Sequence, residues 1–201
     1  MRHNRGVLTL RRMGAADLRM VKAWLRDPDV ARWYLAATTI ENELDDLRLC
    51  IGGEEQTEAL IAAGPRGPIG WCQWYLCDYY PDHAAGVGAA PGDAGIDYAI
   101  GDPASRGRGV GTELIATLVT YVRQRHPHAG VIADPEASNL ASRRVLEKNG
   151  FLLLAERPVA SEPTPAPMAI YRLPPRSGVP DRSGASAPVS AHHHPRPPRL
   201  W

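Results

Sequence analysis

Between Arg106 and Thr112 the chain reads RGRGVGT, three glycines and two arginines directly ahead of a run with helical spacing. Consecutive main-chain N–H groups in a glycine-rich turn that opens a helix form a positive concavity, because the helix dipole and the unpaired donors point the same way. Glycine lets a ligand come close to that backbone. Arg106 and Arg108 add charge that suits a pyrophosphate or a nucleotide 3′-phosphate. The chemistry on offer is anion binding. No Gly-Lys-Ser/Thr follows, so this is not a Walker loop, and the spacing lacks the dinucleotide-binding fingerprint. A helix that merely begins with a glycine turn would give the same local pattern.

The loop needs elements to hold it. The stretch VLTLRRM (Val7 to Met13) alternates as a half-buried strand, and GAADLRMVKAWLRDPDV follows with helical spacing, Pro28 closing the helix. TTIENELDDLRLCIGG predicts a second helix ending at Gly52 and Gly53, with Glu41, Glu43, Asp45 and Asp46 on a solvated face. TEALIAAG and PIGWCQWYLCDY flank the turn GPRG as an antiparallel hairpin. Residues 79–93 read as a long loop rich in glycine, alanine and proline. GIDYAIG is a strand leading into the glycine loop and a helix from about Gly109 to Arg125. GVIADP gives another strand, and ASNLASRRVLEKNG a helix capped by Ser138 or Asn139 and ended by Gly150. FLLLAERPV and MAIYRL supply two last strands. The expectation is a mixed α/β single domain of about seven strands and about four helices, spanning residues 1–173.

Composition narrows the function classes. The 201 residues are 44% hydrophobic and 22% charged with a net charge of +1, so wholesale disorder and a strongly basic nucleic-acid binder are excluded as expectations. No apolar run approaches the roughly 18 residues of a membrane span, and the first residues lack the apolar core of a signal peptide, which predicts a cytoplasmic protein. Cys50, Cys72 and Cys77 match no zinc spacing and read as reduced thiols. Residues 174–201 hold seven of the 19 prolines and almost no large apolar side chains, the composition of a disordered tail. Its run His192 to His194 reads as solvated tail rather than as a metal site. No metal is expected.

Together with this element order, Arg106-Gly107-Arg108-Gly109-Val110-Gly111 resembles the Arg/Gln-x-x-Gly-x-Gly/Ala motif of the GNAT superfamily of acetyl-CoA-dependent N-acetyltransferases. SNLASRRVLEKNGF resembles the same superfamily's Asn to Gly-Phe segment, whose asparagine lies beside the pantetheine arm. The resemblance implies a GNAT acyl-CoA N-acyltransferase fold. It implies acetyl-CoA as co-substrate, held by Ile100, Arg106, Gly107, Arg108, Gly109, Val110, Gly111, Thr112, Asn139 and Ser142.

PIGWCQWY, GIDY and ADPEASNLASRRVLEKNGF further resemble the aminoglycoside 6′-N-acetyltransferases and the kasugamycin 2′-N-acetyltransferases. A polycationic aminoglycoside calls for carboxylates to pair with ammonium groups and aromatic faces to stack on sugar rings. The matching positions are Asp97, Asp134, Trp33, Tyr34, Gln73 and Tyr75, of which the aromatic ones read equally as core. Asp78, Tyr79, Tyr80, Asp82 and Asp93 would add an acidic and aromatic rim, or form a solvated loop.

Amine attack on a thioester requires a neutral amine, so a carboxylate within reach can hold it and take its proton; Asp97 fits that role or binds a distant ammonium. A main-chain N–H around Tyr98 to Ile100 would stabilise the oxyanion. The superfamily's proton-donating tyrosine is replaced here by Leu146, which leaves water or Ser142 as the source. A lysine, hydroxylamine or siderophore-precursor acyltransferase and a non-catalytic coenzyme A-binding module are the competing readings. No nucleic-acid or membrane partner is expected, and the sequence leaves open whether the chain forms a homodimer.

Overall fold

The computed structural model describes residues 8–35, 38–162 and 164–176. Val7, the tail beyond residue 176 and its histidine run lie outside the described residues. One seven-stranded sheet organises the chain: β1 (Thr9–Arg12), β2 (Thr57–Gly64), β3 (Gly67–Leu76), β4 (Ala94–Ala99), β5 (Val131–Ala133), β6 (Leu152–Arg157) and β7 (Met168–Leu173). Their spatial order is β1-β2-β3-β4-β5-β7-β6. All neighbours are antiparallel except β4 and β5. Seven strands match the expected number.

Among the described residues there are six α-helices rather than about four: α1 (Leu18–Leu25), α2 (Pro28–Tyr34), α3 (Ile40–Gly52), α4 (Pro81–Val87), α5 (Val110–Arg125) and α6 (Leu140–Lys148). Two readings are corrected. Pro28 ends one helix but also starts the next: it stands at the first helical position, where its missing N–H costs nothing, and Asp27 caps by accepting from the Asp29 N–H at 2.9 Å. The supposed loop at 79–93 contains α4, again begun by a proline and ended by Gly88 at φ 69°.

Strand alternation sorts the core into two faces. Leu60, Cys72, Ile96, Val131 and Tyr171 pack under the α5 stripe Leu114, Ile115, Leu118 and Val122. Ile61, Trp71 and Ala99 point to the opposite face, against Val21 and Leu25 of α1 and Leu44 and Leu47 of α3. α4 continues that second face, with Val87 packed among Ile132, Val159, Met168 and Ile170.

The constraint that matters for a site is the pairing of β4 with β5. It consists of Ala94 with Val131 and Gly95 with Ile132. Beyond Gly95, β4 stays paired to β3 out to Ala99, while β5 ends at Ala133 before Pro135, so the two parallel strands part.

Where β4 leaves the sheet, Gly101 lies flat against the Trp24 ring, itself stacked on Trp71 with centroids 5.9 Å apart. A Cβ on Gly101 would stand 2.1 Å from Trp24 Cδ2. Replacing Gly101 with alanine therefore overpacks this junction by about 1–3 kcal/mol. The thermal midpoint should fall by roughly 2–12 °C, which a melting curve followed by circular dichroism would measure.

Candidate active site

A cleft of about 540 Å³ opens where β4 and β5 part. Its floor is the N-terminus of α5. Gly107 (φ 70°) and Gly109 (φ 81°) take the left-handed conformation that turns the chain into the helix, and Gly109 caps it without a side chain. Glu113 N–H is the first to bond back, to the Gly109 carbonyl, so the amides of Val110, Gly111 and Thr112 precede the first helical bond. A Cβ on Gly111 would press on Val145 Cγ2 at 3.3 Å, and this closeness sets α6 beside α5.

Ile100, Arg106, Gly107, Gly109, Gly111, Thr112, Asn139 and Ser142 all line this cleft, as do Trp33, Tyr34 and Tyr98. Arg108 is exposed beside it, and Val110 borders a separate recess with Leu8 and Ile69. The Asn139 side chain caps α6 by accepting from Ser142 N–H at 3.1 Å, which fixes which of the two candidate residues is the cap.

The two arginines of the loop do different work. Arg106 is already engaged: it donates to Asp27 at 3.0 Å, to Asp29 at 3.2 Å, and to the carbonyls of Ile100 and Gly101 at 3.0 and 3.1 Å. Its hydrogen bond holds the Asp27 carboxyl below the usual carboxylate range. Arg106 thus lines the cleft and at the same time clasps the loop to α2, its charge already shared with Asp27 and Asp29. Arg108 makes no hydrogen bond or ion pair among the described residues.

On the far side of β4 lies an acidic face. Asp97 pairs across the ladder with Gln73, and both are buried at 3% and 6% exposure. Glu43, expected on a solvated face, is 7% exposed and lines a small recess with Asp46, Gln73, Trp71 and Tyr34. The signal for it was present: Glu43 lies three residues after Ile40 and four before Leu47, on the apolar stripe of α3. Tyr34 forms one wall of both this recess and the cleft, with its ring 4.9 Å from Trp71. Burial, reinforced by the charges of Asp97 and Glu43, pushes the Tyr34 hydroxyl well above its ordinary pKa.

Several expected substrate residues are placed differently. Tyr75 is 1% exposed, edge-on to Tyr80 at 5.0 Å, so it is core and not pocket wall. Asp134 does not line the cleft; it is 5% exposed and turns toward His83 and Glu162. Burial raises the pKa of Asp134 and, together with the charges of Asp134 and Asp97, that of Glu162, while it pulls His83 down to about 4. The acidic rim also dissolves: Asp93 is buried under two 2.8 Å bonds from Arg172, Asp78 accepts from Gly92 N–H, and Tyr80 is core. The three thiols are free, and burial pushes Cys50 up to about 12.

The family described as Acetyltransferase (GNAT) domain matches residues 14–158, which contain the whole cleft and its acidic back. The chain belongs to this GNAT acetyltransferase family. Within it, the chain is 29% identical over 147 residues to the aminoglycoside N(6′)-acetyltransferase type 1 of Klebsiella pneumoniae, covering 72% of this chain and 73% of that one. It is 36% identical over 61 residues to a kanamycin resistance protein of Rhizobium radiobacter, 30% of this chain and 56% of that one. Its fold superposes on aminoglycoside acetyltransferase AAC(6′)-Ib in complex with coenzyme A with a TM-score of 0.67 at 26% identity, covering 83% of this chain and 94% of that one.

As a GNAT acetyltransferase the chain uses acetyl-CoA, and the motif position usually held by tyrosine is instead Leu146, wholly buried in the α5 face of the core. Two hydroxyls of the cleft, Tyr98 Oη and Ser142 Oγ, lie 2.5 Å apart, Ser142 one helical turn before Leu146. Desolvation raises the Tyr98 pKa, so this pair is protonated at neutral pH.

The two arginines should separate experimentally. Arg106→Lys should lower the thermal midpoint by several degrees, since an ammonium cannot serve two carboxylates and two carbonyls in one plane. Arg108→Ala should leave the midpoint unchanged and weaken acetyl-CoA binding by roughly tenfold to a hundredfold in calorimetry, with a shallower salt dependence.

No helix among the described residues is long and apolar enough to cross a membrane.

Proposed function

We propose that this chain is an aminoglycoside N-acetyltransferase that moves an acetyl group from acetyl-CoA directly to an amine and so confers antibiotic resistance. The observation that carries the reading is the shared wall. Tyr34 separates a cleft that ends on the α5 amides from a recess bearing Glu43, Asp46 and, behind Gln73, Asp97. The recess has room for little more than a water, about 10 Å³, so it marks the acidic face toward which a polycationic acceptor is drawn, adjoining the donor's cleft. The relatives named as aminoglycoside N(6′)-acetyltransferases and as a kanamycin resistance protein support the same substrate class. A structure of AAC(6′)-Ib in complex with paromomycin and acetyl-CoA, 26% identical and at TM-score 0.67, supports a fold that takes both ligands.

The residues divide the work as follows. The amides of Val110, Gly111 and Thr112 hold the diphosphate, with Arg108 as the added cation. Asp97 accepts the proton from the attacking amine, directly or through one water. The β4 backbone from Tyr98 to Ile100, past its last pair with β5, offers N–H groups to the oxyanion. As the C–S bond breaks, Ser142 gives its proton to the sulfur and recovers one from Tyr98, which is reprotonated by solvent water entering the open cleft. We infer a cytoplasmic enzyme with a domain over residues 1–173, requiring neither nucleic acid nor membrane.

Thiol release from acetyl-CoA with kanamycin, kasugamycin or a lysine peptide tests the substrate class. Turnover is expected with an aminoglycoside, and turnover with the peptide alone would replace this reading. Asp97→Asn should cut kcat at least about a hundredfold; a variant holding wild-type rate from pH 6 to 9 removes Asp97 from the base role. Ser142→Ala should lower kcat at least about tenfold, and an acetyl thioester of a more acidic thiol should restore much of it. A defect that is the same with both donors would exclude Ser142 as the acid.

A further inference from the structure

His83 of α4, Asp134 just beyond β5 and Glu162 in the connection from β6 to β7 meet in the interior, far apart in sequence. Their side chains are 0%, 3% and 2% exposed. One donor atom from each lies within 4.8 Å of the others. They are nevertheless too far apart to bond one another: His83 Nε2 is 3.8 Å from Asp134 Oδ1, and His83 Nδ1 is 3.6 Å from Glu162 Oε1. His83 Nε2, Asp134 Oδ2 and Glu162 Oε2 have no hydrogen-bond partner. Among the described residues no lysine or arginine pairs with either carboxyl group; the basic side chain nearest to both is His83, which burial disfavours in its charged form.

Two buried carboxyl groups and an imidazole gathered within 4.8 Å of one another, each side chain with one unpartnered atom, are a costly arrangement for a chain to keep empty. A single cation bound by one donor atom from each residue would relieve that cost. We propose that His83, Asp134 and Glu162 form a binding site for a divalent transition-metal ion, with zinc the best match to the donor set. One imidazole nitrogen and two carboxylate oxygens are standard zinc ligands, with room for a fourth group, whereas magnesium and calcium favour oxygen alone. Ser161 Oγ lies 3.2 Å from His83 Nδ1, so it orients the ring and leaves Nε2 as the ligand nitrogen. Acyl transfer from a thioester to an amine balances without a metal. The ion's role is architectural: it ties α4 and the connection from β6 to β7 onto the end of β5, beside the strand that carries Asp97.

Calorimetric titration of the chelator-treated full chain with zinc chloride tests this. One zinc per chain is expected, with a raised thermal midpoint. A chain with His192, His193 and His194 all changed to alanine should bind equally well. Glu162→Gln, nearly isosteric, and His83→Gln should each weaken binding at least about tenfold. If His83→Gln fails to fold, Glu162→Gln carries the comparison. Cobalt bound in place of zinc should show no thiolate charge-transfer band, which separates this site from the cysteines. The proposal is overturned by the absence of heat, by heat that vanishes with the tail histidines, or by binding that Glu162→Gln leaves intact.

Discussion

Two parallel strands that pair for two residues and then part are the constraint on which this structure rests. Had β5 followed β4 to its end, the β4 edge would be consumed by ladder hydrogen bonds and α5 and α6 would close over it. Instead the ladder stops at Gly95 and Ile132, and the chain after each strand goes its own way: into the glycine loop from β4, into Pro135 and the Asn139 cap from β5. The gap is filled by neither backbone nor core. It is bordered by two helix N-termini, both of which favour negative charge.

Alternation along β4 then divides the chemistry. Asp97 pairs across the ladder with Gln73, which lines the acidic recess, while its neighbour Tyr98 faces α6 and meets Ser142. The proposed proton acceptor and proton donor therefore stand on opposite faces of one strand, with the cleft at its end. Adjacent residues in a strand can do this without interfering, because each face has its own solvation and its own neighbours. Leu146 in place of the usual tyrosine is compatible with this division: its volume completes the core, and the hydroxyl chemistry shifts one turn toward the helix start.

Local signals made most of the scaffold legible in the sequence. The hairpin turn, the glycine loop, the cap at Asn139 and the stop at Gly150 all follow from the conformational needs of a few adjacent residues. Pro28 was ambiguous because the same ring that ends one helix suits the first position of another, and α4 was hidden by alanine and glycine that carry no clear period. Pairings across the fold were beyond reach. Nothing near Arg106 in sequence announces Asp27, and the meeting of His83, Asp134 and Glu162 depends on three connections folding onto one face. Glu43 alone among the missed residues left a trace, a charge on an apolar stripe.

The central claim is that main-chain amides at the start of α5 hold the diphosphate of coenzyme A. An amide NMR titration of the assigned chain with coenzyme A reads those groups one by one. The account predicts the largest shifts at Gly109, Val110, Gly111 and Thr112. Saturable binding that leaves these four amides unmoved would contradict it.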